Sequence, residues 1–347
     1  MRGRGSMLIV NAGSSTLKLR LLGPANEVDE SWDSMPDTLP DVDIVVHRIV
    51  HGGTEFQSPV VIDADVAERL RALTPLAPLH QPKSMDAYDA VLKRLPDATH
   101  VGCFDTAFHA TIPAAAATYA IPREWNDLYA IRRYGFHGLS HSWASRQALE
   151  FAPEARKVVT CHLGAGASLC AVLDGVSIDT TMGFTPLEGL VMATRCGDID
   201  PGLVLWLSER EVDLGDAFER RSGLAGLAGT PDMREVISRG DEEARLAFAV
   251  YIHRLRKGIA SMAASLDGID VCVFTGGVGE NAPAVRLAAV AGLGFLGIGA
   301  DADKNLSVVP DADVSTAGAR VRTVVVAARE DLEMARQARE LLGIALG

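Results

Sequence analysis

At 347 residues the chain is longer than one hydrophobic core usually supports, so two domains of ordinary size are expected. Apolar residues make up 48% and charged residues 22%, which excludes long disorder. A formal net charge of −12 argues against a nucleic-acid or anionic-membrane partner, since either favours a basic face, and a small diffusible substrate fits better.

In chain order, the opening MRGRGS lacks the apolar centre of a signal peptide and reads as a leader or cloning scar. Strand-like apolar runs follow at Met7 to Val10, Asp43 to Val46, His100 to Cys103, Val158 to Cys161, Val271 to Phe274 and Val321 to Ala327. Over Glu242 to Leu266 a helical period puts Leu246, Val250, Leu255 and Ile259 on one face. A mixed α/β fold follows. No run approaches the ~18 consecutive apolar residues of a membrane span. Cys103, Cys161, Cys170, Cys196 and Cys272 are scattered singly, which suits neither zinc nor a disulfide framework and fits a reducing cytoplasm.

LIVNAGSSTLKLRL echoes VTCHLGAGASLCAVL, pairing Thr16 with Ser168 and Leu17 with Leu169. Both segments read strand, small-residue turn, strand. Either two hairpins resemble each other by chance, or a domain is duplicated and the active site lies in the cleft between the copies. In NAGSSTLK, backbone N–H groups, the hydroxyls of Ser14, Ser15 and Thr16 and the Lys18 ammonium are donors suited to phosphate, although an ordinary polar turn has the same composition. HLGAGAS (His162 to Ser168) is a second such turn. FTGGVGEN (Phe274 to Asn281) leaves a strand and enters a helical pattern, where bare backbone can lie against a nucleotide or simply make a turn.

The charged clusters lie at comparable places. HRIVHGG sets Arg48 and His51 beside a glycine pair, and arginine offers a planar fork for carboxylate or phosphate. Asp105, in FDTAFH, follows an apolar strand directly, where open α/β sheets gather catalytic groups and where a helix N-cap also belongs. YGFHGLSH surrounds two histidines with glycines and aromatics. MGFTPLEGLVMATRCGDIDPG is a long polar loop centred on Arg195, and Glu330 opens the last helix, favouring its dipole or holding a metal.

Nine ordered segments, NAGSSTLK, HRIVHGG, APLHQP, FDTAFH, YGFHG, HLGAG, MGFTPLEGL, TRCG and TGGVGEN, resemble the acetate kinase family, in the superfamily that also holds sugar kinases and actin. The resemblance runs from Asn11 to about Arg336. It implies an α/β fold of two duplicated actin-like, ribonuclease H-like domains with an interdomain active-site cleft. Residues 7–109 with 332–347 would form the carboxylate and phosphate domain, and residues 110–331 the nucleotide-binding, dimerising domain. The implied reaction is reversible transfer of the ATP γ-phosphoryl group to acetate, giving acetyl phosphate and ADP, with Mg²⁺ or Mn²⁺.

On that resemblance Arg48 and Arg195 hold the carboxylate and the oxygens of the moving phosphoryl group, His137 donates to those oxygens, and Asp105 orients the substrate or the metal shell. Asn11 and Glu330 serve the metal. Val50, Leu79, Phe136 and Pro186 form the acyl pocket. His162, Gly164 and Gly166 line the phosphate path with Asn11, Ser14, Thr16 and Lys18, while Asp232, Arg234, Gly277, Gly279 and Asn281 surround the adenosine. A cytoplasmic homodimer is implied, with no nucleic-acid or membrane partner. The sequence departs from the family pattern at Ala165 and Arg329, each where asparagine is usual, in TPD where SND is commoner, and in a shortened stretch before HRIVHGG. A propionate or butyrate kinase, a pyrophosphate-dependent relative and a non-catalytic actin-like switch are the alternative readings.

Overall fold

A computed structural model describes residues 5–13 and 17–345. Its strands are β1 (Met7–Ala12), β2 (Leu17–Leu22), β3 (Val28–Trp32), β4 (Ile44–Ile49), β5 (Val60–Val61), β6 (Thr99–Phe104), β7 (Lys157–Leu163), β8 (Ala167–Leu173), β9 (Val176–Thr180), β10 (Val271–Thr275), β11 (Ala312–Asp313) and β12 (Arg322–Val325). They form two six-stranded sheets, ordered β3-β2-β1-β4-β6-β5 and β11-β12-β10-β7-β8-β9. Read from its meander edge, the second order repeats the first. The strand directions repeat too: the opening hairpins β1–β2 and β7–β8 are antiparallel, and β1, β4, β6 and β7, β10, β12 run parallel. The echo between the two hairpin sequences is therefore a duplication, and the fold is that of paired actin-like, ribonuclease H-like domains.

The chain divides into two compact units. The first takes the chain to Ala110, Phe136–Trp143 and the segment from Arg329 onward; the second takes Thr111–Gly135 and Ala144–Ala328. These bounds differ from the sequence-based ones chiefly at Phe136–Trp143. That turn belongs to the first unit because the Gly138 N–H donates to the Asp105 carbonyl at 2.8 Å and the His109 ring bonds the Phe136 carbonyl at 3.0 Å.

In the first unit β1 is apolar on both faces because both are covered. Met7 and Ile9 pack with Ile44, Val46 and Cys103 against Met334, Ala335 and Ala338 of the terminal helix Glu330–Leu342. Leu8 and Val10 pack with Val45 against Ala87 and Val91 of the helix Gln81–Leu92. In the second unit the long helix Glu242–Ser265 buries Ala244, Ala247, Tyr251, Ile252, Leu255, Ile259 and Met262. The expected face was partly wrong: Leu255 and Ile259 are buried, but Leu246 is 57% exposed. The structure starts the buried stripe at Ala244 and Ala247, whose small side chains permit close helix packing. Among the described residues no helix is long and apolar enough to cross a membrane, and none of the five cysteines forms a disulfide.

Candidate functional site

In the first unit the site is a consequence of strand alternation. Ile9, Val46 and Cys103 point to the face covered by the terminal helix, so two residues further on Asn11, Arg48 and Asp105 point the same way at the carboxyl ends of adjacent parallel strands. Arg48 grips Asp105 with both forks, Nε to Oδ1 at 2.9 Å and Nη2 to Oδ2 at 2.6 Å, and its Nη1 donates to Asn11 Oδ1 at 3.1 Å. Asn11 Nδ2 donates to Glu330 Oε2 at 2.9 Å, and Glu330 opens the helix that covers this face. Four residues drawn from four distant segments thus form one continuous chain.

The charges set one another. Burial opposes the Arg48 cation, but Asp105 and Glu330 outweigh it and hold its pKa above the ordinary arginine value. Burial lifts Asp105 above the usual carboxylate range, against the pull of Arg48. Both Asp105 oxygens are engaged by Arg48, so Asp105 orients that fork, and each oxygen retains a further lone pair. Lys18 stands opposite Asn11 in the β1–β2 ladder and is exposed. Ser14, Ser15 and Thr16 lie outside the described residues.

The Phe136–Gly138 turn is pressed against the Asp105 loop. A side chain at Gly138 would run into the Asp105 carbonyl, and His137 takes a left-handed backbone, φ +57°, a conformation uncommon outside glycine and held only where surroundings enforce it. Two buried imidazoles support the turn: His109 through the Phe136 carbonyl, and His51 edge-on to the Phe136 ring at 5.6 Å. Burial drives both pKa values down to about 4, so both rings are neutral near pH 7. Of the expected acyl-pocket residues, Val50 and Phe136 are buried in this unit, whereas Leu79 is 38% exposed. Gln81 went unrecognised in the sequence; it exchanges hydrogen bonds of 3.2 Å with the His51 backbone, N–H to Oε1 and Nε2 to carbonyl, and so fixes the turn after Val50. Its APLHQP motif was visible, but nothing local revealed the partner.

The second unit holds Arg195 and Pro186. Arg195 Nη1 reaches the Pro186 carbonyl at 3.3 Å and the Met192 sulfur at 3.8 Å. It has no ion pair among the described residues, and burial lowers its pKa, with Glu219 only partly offsetting this.

A cavity of about 550 Å³ in the same unit is bordered by Gly164, Ala165, Asp232, Arg234, Gly277 and Asn281. Leu224, Met233 and Tyr251, which no motif marked, make its wall largely apolar. Asp232 caps the helix Met233–Ser238 by accepting from the Arg234 N–H at 2.9 Å and pairs with the Arg234 guanidinium at 2.6 Å. His162, Gly166 and Gly279 do not border that cavity. His162 lies in β7 opposite Thr275, the Gly166 carbonyl closes the hairpin turn onto Gly164 N–H at 2.9 Å, and Gly279 packs on Cys161 and Leu163.

Among the described residues no three His, Cys, Asp or Glu side chains form a metal cluster. Asn11 and Glu330 are hard oxygen donors in contact through one hydrogen bond. Such a pair suits a Mg²⁺-like ion, which is usually bound by one or two carboxylates, waters and substrate phosphates rather than by a full protein cage.

The model of the acetokinase family matches residues 25–336. The acetate kinase of Microcystis aeruginosa is 47% identical, with 86% of this chain and 77% of that one covered; that of Thermotoga maritima is 42% identical, covering 91% and 81%. Among solved structures, a propionate kinase from Francisella tularensis superposes with a TM-score of 0.88 at 33% identity over 96% of this chain and 98% of that one. The acetate kinase of Porphyromonas gingivalis has a TM-score of 0.88 at 32% identity, over 97% and 100%. With its duplicated sheets and its strand-end network of Asn11, Arg48, Asp105 and Glu330, this chain belongs to the acetokinase family.

Proposed function

We propose that this protein is a phosphotransferase that moves the ATP γ-phosphoryl group reversibly to acetate. A carboxylate oxygen forms the new P–O bond as the bond from phosphorus to the bridging oxygen of ADP breaks. The observation that carries this reading is the contrast between two guanidiniums: Arg48, locked in place by Asp105 and Asn11, and Arg195, partly buried with no ion-paired carboxylate among the described residues. Arg48 holds the carboxylate. Arg195 and a His137 N–H donate to phosphoryl oxygens as they gain charge, which is where fixed donors lower a barrier most. Bound by Glu330 and Asn11, Mg²⁺ or Mn²⁺ would neutralise phosphate charge.

The Asp232, Arg234, Gly277 and Asn281 cavity takes the nucleoside, with Gly164, Gly166, Gly279, His162 and Lys18 serving the phosphates. Ala165 leaves that border without an amide side chain. Val50, Leu79, Phe136 and Pro186 receive the acyl tail. The protein is a cytoplasmic homodimer joined through the second unit; the helix Pro201–Ser208 supports this, since it buries none of its residues and exposes Leu203, Leu205 and Trp206.

The similarity to a propionate kinase keeps a longer acyl chain as the second reading, because one methylene changes binding by only about 1–3 kcal/mol. A hydroxamate assay across acetate, propionate and butyrate, each with ATP, GTP and pyrophosphate, is the test. Acyl hydroxamate formed from acetate and ATP is the expected result. Nucleotide binding without any trapped acyl phosphate would leave only the actin-like switch.

A further inference from the structure

The Met182–Gly189 segment of the second unit is clamped at both ends. Near its end, the Glu188 carboxylate accepts from the Tyr119 hydroxyl and from the Arg133 guanidinium, and these two side chains tie it back to the segment's start. The Tyr119 oxygen in turn accepts the Phe184 N–H at 2.8 Å. Arg133 Nη1 donates to the carbonyls of Thr180, Thr181 and Met182, each at 3.2 Å. A side chain at Gly183 would overlap both the Glu188 carboxylate and the Tyr119 hydroxyl. At its end, the Gly189 N–H donates to Asp198 Oδ1 at 2.7 Å and the Gly189 carbonyl accepts the Asp198 N–H at 2.9 Å. Between the clamps the segment offers the Pro186 carbonyl to Arg195 at 3.3 Å.

This matters because Arg195 has little else to orient it. Arg48 is fixed by two carboxylate contacts, but Arg195 leans on that one carbonyl and a weakly accepting sulfur. Its guanidinium geometry is therefore set by whatever fixes Pro186. The nearest charged side chain tying the segment down is Glu188, two residues away. A charged network of this kind is rigid only when its members are paired, and removing one member releases the others.

We infer that Glu188, held by Tyr119 and Arg133, is the positioning residue for the Arg195 guanidinium. The inference rests on the reading that Arg195 acts on the moving phosphoryl group. Glu188→Gln removes the charge that Arg133 pairs with. Tyr119→Phe removes a single oxygen that both Glu188 and Phe184 use, and it serves should the Glu188 variant fail to fold.

The full-length variants are assayed for acyl phosphate formation, for the KM of acetate and of ATP, and for thermal midpoint. Displacing a catalytic group by a fraction of an ångström to an ångström lowers turnover by up to about 10²-fold, so kcat should fall roughly tenfold in Glu188→Gln and severalfold in Tyr119→Phe. The ATP KM should stay within about twofold, because the nucleotide cavity lies on other segments. In an Arg195→Ala background, where there is no guanidinium left to aim, the same substitutions should change kcat less than about twofold. Wild-type kcat in a folded variant would overturn the inference. So would an equal loss in the presence and absence of Arg195. Wild-type turnover by Arg195→Ala itself would instead remove the reading of Arg195, and this inference with it.

Discussion

Arg48 and Arg195 are the same side chain held in opposite ways. Arg48 ends a strand, meets Asp105 through both forks and has its pKa raised. Arg195 sits on a loop, touches one carbonyl and a sulfur, and has its pKa lowered by burial. A guanidinium already matched to a carboxylate is a rigid fixture with spare donors on one edge. One without a partner retains nearly all its donor capacity for an arriving anion. Under the proposed function, this difference suits Arg48 to ground-state geometry and Arg195 to charge that develops during transfer.

The largest effect should come from breaking the matched pair. Asp105→Ala leaves the Arg48 cation without its carboxylate partner, and removing one partner of a buried ion pair costs about 3–5 kcal/mol. Denaturant unfolding should show that loss, whereas Glu219→Ala, which removes only a distant neighbour of Arg195, should alter stability little. Equal losses in the two variants would erase the contrast.

Next comes Arg195→Ala. Deleting a donor that acts on transition-state charge costs about 10²–10³-fold in kcat, with ATP affinity changed far less. Steady-state kinetics in both substrates decides this, and parallel losses in turnover and ATP binding would count against the role given to Arg195.

Acid should separate the two units more gently. His51 and His109 are held down to about 4 and His47 to about 3, chiefly by burial, and these three belong to the first unit. Each ring is neutral in the fold, but in the unfolded chain it protonates below its ordinary pKa of about 6.5. Their contribution is therefore complete above about pH 6.5 and declines as the pH falls toward 4, by up to ~3 kcal/mol for each fully shifted imidazole. Hydrogen exchange at pH 7 and pH 5 should show protection lost first from β4 and β6. His109→Gln, which retains a donor for the Phe136 carbonyl, should flatten the dependence.

Much of the fold was legible because strand alternation and apolar runs are local. Each of the six runs read from the sequence overlaps a strand, and of the two readings of the hairpin echo, chance or duplication, the sheet order supports duplication. The helical face was harder: Leu246 is a large apolar residue at a plausible spacing, yet the packed stripe begins at alanines. Candidate site residues could be named by type and position in a motif. Their partners were not, because Gln81, Tyr119 and Arg133 act across contacts that no spacing encodes.

What the sequence determined by itself was which chemical groups stand at strand ends and glycine turns, since side-chain direction there follows from the period of the backbone. Only the tertiary structure decided how each group is used. It turned Asp105 onto Arg48 and Asn11 onto Glu330, left Arg195 without a carboxylate partner, and drew His137 into a left-handed turn beside Asp105. Those outcomes depend on residues up to 319 positions apart meeting in a low-dielectric interior, where an ion pair made or omitted sets both the pKa and the free donors of every group involved.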